Sequence, residues 1–280
     1  MTLPYRGEYG APRPAALGRL RLPPDPMPWR RGTRPLKQWR YVGVYGPELM
    51  LCVGSVRVGP LRQEFWAVWD RGTGVLRERT RRGHRVVALR PGRVEVDDRE
   101  VRVRLDLAEE AGVETVCPSG TSYAWTRKQG GIAARGTVVL GDREHRLDAR
   151  AVVDDTAGYH ERHTRWHWSA GVGTTTSGQP VAWNLVEGVN DPASSSERTV
   201  WVEGEPQEVP PSDFAADLSR VDGLAFHAEA ARERTENIGP LRSEYQQPFG
   251  TFTGRLPGAA GGTLELAEGY GVMERHDVFW

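Results

Sequence analysis

Val101, Val103, Leu105 and Leu107 alternate with Arg102, Arg104 and Asp106. A period of two sends apolar side chains to one face of a strand and charges to the other. The rhythm returns along the chain from Leu36 onward, broken by turn residues drawn from 33 glycines and 20 prolines. Short strands between frequent turn signals make an all-β barrel or sandwich. Val94 to Val96 and Val101 to Leu107 read as a hairpin about Asp97-Asp98, and a second hairpin turns at Gly141-Asp142. Leu49 to Val58 and Glu64 to Asp70 read as a pair broken at Gly59-Pro60. The one expected helix covers Ser212 to Arg220, with Ser212 as its N-cap.

At 280 residues the chain suits one large or two smaller domains. Residues 1–35 carry the run Pro23 to Pro28, whose prolines forbid regular structure. They read as an extended arm anchored by Tyr5 and Trp29. A soft boundary near residue 150 divides the rest into an N-terminal β lobe, 36–150, and a C-terminal β lobe, 151–280.

The 37 basic and 37 acidic residues balance, which removes the electrostatic footprint of a nucleic-acid binder. Lysine occurs only at Lys37 and Lys128, so the basic residues are nearly all arginine, as in a high-GC bacterial genome. Cys52 and Cys117 read as reduced, buried thiols, and no Cys/His spacing supports a metal site. There is no basic stretch followed by an apolar run at the N-terminus and no apolar window long enough to span a membrane. The expectation is a soluble cytoplasmic protein with no cofactor.

Candidate site residues gather between Asp154 and Gly204, which holds three of the seven histidines and four of the ten tryptophans. On a helix His163 and His167 would share a metal ion, but on a strand their Cα atoms lie ~13 Å apart, too far for one ion. As a strand, Glu161, His163, Arg165 and His167 point one way, and Thr164, Trp166 and Trp168 the other. Gly171 and Gly173 suggest a sharp bend after it. Asn184 and Glu187 sit among Trp183, Leu185 and Val186, and either must find partners if buried. Glu187 reads as an ion-pair partner of Arg165 or Arg198, or as a general acid beside tryptophan. No G-x-S-x-G surrounds Ser194 to Ser196, and the Gly171–Gly178 run has no phosphate-loop lysine. Further along, Tyr245, Gln247 and Phe249 alternate, and Glu274 and His276 share a face of the last strand.

The segments QWRYVGVYGPELMLCVGSVRVG, FWAVWDR, DDTAGYHERHTRWHWSAGVG, VAWNLVEGVND, ERTVWVEG, YQQPFGTFTG and GVMERHDVFW together resemble the domain-of-unknown-function 2804 family. The resemblance runs from about Leu36 to the C-terminus. That family is distantly similar to lipocalin-like proteins that include carotenoid 1,2-hydratases and tocopherol cyclases. The resemblance implies two lipocalin-like β lobes and assigns no catalytic residue.

Three functions suit these residues. The first is a cofactor-independent enzyme that hydrates, cyclises or isomerises a hydrophobic, isoprenoid- or lipid-like molecule. Glu187 or Glu274 would be the acid, His163 and Asn184 would orient water, and Trp166, Trp168, Trp183 and Trp201 would face the developing cation. Arg165, His167, Tyr245 and His276 complete the candidate lining. The second is a carrier or sensor of the same ligands, which needs no perturbed buried acid. The third, carbohydrate binding, needs several indoles on one open face.

Overall fold

The computed structural model describes residues 3–83, 86–239 and 241–280. The chain is all-β, built from two large antiparallel sheets. The first has eleven strands. Its main path runs Val75–Arg82, Leu61–Asp70, Leu49–Val58, Lys37–Tyr45, Arg143–Gly158, Ser122–Leu140, Val101–Leu107, Arg93–Asp98 and Val87–Arg90. Tyr5–Glu8 and Val113–Ser119 extend the sheet beside the first half of Ser122–Leu140. The second has eight, ordered Glu205–Glu208, Thr199–Val202, Pro180–Glu187, His163–Thr175, Thr263–Phe279, Leu241–Pro257, Gly223–Ile238 and Arg220–Val221. The chain crosses between sheets after Gly158. No helix among the described residues is long and apolar enough to cross a membrane.

Most expected hairpins form. Gly59-Pro60 and Gly141-Asp142 turn the two pairs as read from the sequence. The third hairpin turns two residues later, because Asp98 pairs with Val101 and leaves Arg99-Glu100 at the tip. Ser212 to Arg220 makes no helix. Phe214 bridges to Val221 and Leu218 takes a left-handed φ of 61°, so both side chains reach the apolar core of the second sheet. Tertiary burial outweighs the capping signal there. The strand from His163 runs unbroken to Thr175. Its glycines give room instead of a bend: a Cβ at Gly171 would lie 2.2 Å from the Trp183 ring.

Period-two alternation explains how three cores arise from two sheets. In Lys37–Tyr45, Val42 and Val44 face the core wrapped by the first sheet, while Tyr41 and Tyr45 face the second sheet. In His163–Thr175, Trp168, Ala170 and Val172 face the first sheet. Val181, Trp183 and Leu185 turn away, into the second sheet's own core with Phe252 and Met273. Strands buried on both faces need apolar groups on both. Trp201 joins the inter-sheet layer by lying across Gly130, where a Cβ would come within 2.3 Å of its ring. The arm packs Leu17, Leu22 and Met27 against Val116, Tyr123, Trp125 and Tyr159. Tyr5 shares that contact, whereas Trp29 is 65% exposed and anchors nothing.

Candidate functional site

The inter-sheet layer is apolar at its centre and polar at one side. Alternation puts Trp166, Glu274, His276, Tyr245 and Gln247 on the faces turned towards the first sheet. Register then makes them neighbours, with Trp166 opposite His276, Trp168 opposite Glu274, and Tyr245 opposite His276. The buried Glu274 carboxylate accepts hydrogen bonds from Trp166 Nε1 at 2.8 Å, Tyr245 Oη at 3.0 Å and Gln247 Nε2 at 2.8 Å. Burial raises its pKa above the ordinary value, and the donors Trp166 and Tyr245 and the charge of Arg232 only partly offset that.

A second layer surrounds this carboxyl. Arg232, itself buried, reaches Tyr245 Oη at 3.4 Å, Gln247 Oε1 at 3.5 Å and Glu78 at 2.9 Å. Its guanidinium lies 4.4 Å from the Phe65 ring centroid. Cys52 approaches Gln247, and the Tyr41 and Tyr45 hydroxyls pair at 3.0 Å. Burial raises both tyrosines well above their ordinary value, so they stay neutral donors. Trp39 stacks parallel to Trp166 with 6.5 Å between centroids, and the Trp166 and His276 centroids are 4.4 Å apart. Burial holds His276 down to about 3, so it is a neutral imidazole, bonded to Ser243 Oγ at 2.7 Å. A recess of about 200 Å³ lined by Glu78, Arg232 and Tyr245 lies beside the group.

Trp39 also donates to Asp154, which opens a second buried polar group. Lys128 Nζ lies 2.7 Å from Asp154 and 3.2 Å from Glu197. Burial pushes Lys128 down, but the two carboxylates outweigh it and its pKa rises. Glu197 is raised by burial, with Lys128 pulling against the rise. Asn184 donates to the Glu197 carbonyl at 2.9 Å and accepts from Trp168 Nε1 at 2.8 Å, which satisfies both ends of a fully buried amide.

The remaining sequence candidates lie elsewhere. Glu187 is at a strand end with its side chain 45% exposed, 3.0 Å from His167 Nδ1. His167 stacks on Phe214. His163 and Arg165 both pair with the exposed side of Asp277, and His163 stacks on Phe279. These four occupy the face of their strands opposite Glu274. Trp183 donates to Ser169 Oγ at 3.0 Å inside the second sheet's core. Trp201 fills the inter-sheet layer. Of the ten tryptophans only Trp29 is exposed, so indoles do not share one open face.

Sequence reading missed Trp39, Tyr41, Cys52, Lys128, Asp154, Glu197 and Arg232 as site residues. One signal was present. In a chain that writes arginine almost everywhere, both lysines are buried, at 1% and 2% exposure.

Among solved structures, the chain resembles a putative AttH from Nitrosomonas europaea, with TM-score 0.47, 12% identity, and coverage of 91% of this chain and 98% of that one. It also resembles kievitone hydratase from Nectria haematococca, with TM-score 0.47, 10% identity, and coverage of 85% and 88%. A third is CghA, with TM-score 0.39, 12% identity, and coverage of 87% and 88%. No curated protein matches it in sequence. The model of the domain of unknown function DUF2804 matches residues 75–280, and the chain belongs to that family.

Proposed function

We propose that the layer between the two sheets is the active site of a cofactor-independent enzyme that protonates an apolar, isoprenoid- or lipid-like small molecule, with Glu274 as the proton donor. The observation that carries this reading is the Glu274 carboxyl, buried among Trp166, Tyr245 and Gln247, whose pKa burial has raised. A carboxyl in such surroundings keeps its proton at higher pH than an exposed one and can transfer it. Glu187, half-exposed and paired with His167, lacks that environment.

Transfer of the Glu274 proton to a carbon–carbon double bond leaves a carbocation on the substrate and a carboxylate on the enzyme. Trp166, Trp39 and Tyr41 present π faces that stabilise positive charge. The new carboxylate is received by donors already in place, with no reorganisation. Addition of water to the cation, with loss of a proton from the resulting oxonium to the Glu274 carboxylate or to solvent, completes a hydration. Attack by an internal double bond followed by proton loss completes a cyclisation, and proton loss alone completes an isomerisation. Tyr245 lines the small recess beside Arg232 and touches Glu274, a route by which the acid regains its proton.

The test begins with protein purified from its own host, native mass spectrometry, and solvent extraction of anything bound. The recovered compound is then incubated with protein in D2O. The expected result is an apolar molecule that gains solvent deuterium with wild-type protein, and that Glu274→Gln still binds but does not label. Binding without labelling by the wild type makes the protein a carrier. Wild-type labelling by Glu274→Gln removes Glu274 from the role.

A further inference from the structure

A second recess, of about 550 Å³, opens where the arm meets the crossing between sheets, and Arg34, Pro35, Lys37, His160, Arg162 and Trp280 are in its lining. Lys37 forms the floor. It is 1% exposed, donates to the His160 carbonyl oxygen at 2.9 Å, and holds its ammonium 4.8 Å from the Trp280 ring centroid. An ammonium has three donors, and among the described residues this one has no carboxylate partner. Burial, and then the neighbouring Arg34, lower its pKa to about 8.

The neighbours leave that charge unbalanced. Arg34 is held by the carbonyls of Ser119 at 2.7 Å and Tyr159 at 3.2 Å, and its charge is met by Glu161 at 3.6 Å. His163 is taken by Asp277. His160 is 3% exposed, yet neither ring nitrogen has a hydrogen-bond partner. Burial, with Lys37 and Arg34 nearby, holds it down to about 3, so the ring is neutral and has one N–H to give. Buried polar groups without partners are uncommon and demand an explanation. One buried, uncompensated positive charge beside one free imidazole N–H calls for a single negative charge that accepts hydrogen bonds.

We propose that this recess binds the carboxylate of a small amphipathic organic acid, with Lys37 as its counter-ion, His160 as a hydrogen-bond donor, and Trp280 and Pro35 against its apolar part. A carboxylate matches the one buried unbalanced charge, while Arg162, exposed in the same lining, has no acidic partner among the described residues and faces solvent. The site is distinct from Glu274 and does not depend on the chemistry proposed there.

Isothermal titration with octanoate and its neutral counterpart octanamide tests this. Wild-type protein should bind octanoate at least about tenfold tighter than octanamide, the difference a charge-assisted pair makes. Lys37→Met, which replaces a buried charge with an apolar stem of similar length, should stay folded and lose that preference. His160→Phe tests the same site if Lys37→Met does not fold, and should weaken octanoate more than octanamide. Equal or absent binding of the two ligands by the wild type would overturn the proposal. So would a preference that survives in Lys37→Met, or a response to inorganic phosphate without one to octanoate.

Discussion

Replacing Lys128 with methionine should be among the most damaging single changes in the molecule. Among the described residues Lys128 is the only cation between Asp154 and Glu197, at 2.7 and 3.2 Å. At an effective dielectric of about 20, those separations correspond to roughly 5–6 kcal/mol of attraction each. Most of that is offset by the cost of dehydrating three charges. Removing one partner abolishes the attraction and keeps the dehydration, leaving a net loss of about 3–5 kcal/mol. The loss should also depend on pH, with a definite sign. Burial already raises Glu197, and Lys128 restrains it. A carboxyl raised on folding contributes stability below its unfolded pKa and loses it as pH rises through the folded one. Without Lys128 the carboxyl rises further, so the variant should be penalised more at about pH 8 than at about pH 5. Urea denaturation followed by tryptophan fluorescence at both pH values measures this. A loss below about 1 kcal/mol at the higher pH, or one that is the same at both, would refute the argument that the triad is held by one ammonium.

Trp168→Ala removes a buried indole from the inter-sheet layer and orphans the Asn184 carbonyl, and should cost about 3–5 kcal/mol in the same assay. Glu187→Gln alters an exposed pair with His167 and should change stability by less than about 1 kcal/mol. Burial raises both thiols, Cys117 to about 12 with Glu197 adding to the rise, so a thiol-specific disulfide reagent should find no reactive cysteine in native protein and both after denaturation.

Strand signals were legible because they are local. Val101 to Leu107 and the turns at Gly59-Pro60 and Gly141-Asp142 carry their own periodicity and punctuation, and no distant residue is needed to read them. Alternation also sorted Trp166 and Trp168 from His163, Arg165 and His167 before any fold was known. Local signals failed where the chain's partners are remote. Ser212 looked like a helix cap, yet Phe214 and Leu218 are drawn into a core made by strands before and after them.

The site divides in the same way. Sequence alone determined an all-β chain, two cysteines too few for a disulfide framework, and the identity of Trp166, Tyr245, Glu274 and His276 as polar or aromatic groups on alternating faces. It could not choose between Glu187 and Glu274, because both sit on strands rich in apolar neighbours. Tertiary structure decided between their environments: one strand end meets solvent, and the other acid meets a second sheet. The same packing brings Arg232 to Cys52, a separation of 180 residues, and leaves Lys37 facing His160 across 123. Burial sets the pKa of a carboxyl and the partner of an ammonium, and burial belongs to the folded whole rather than to any segment of it.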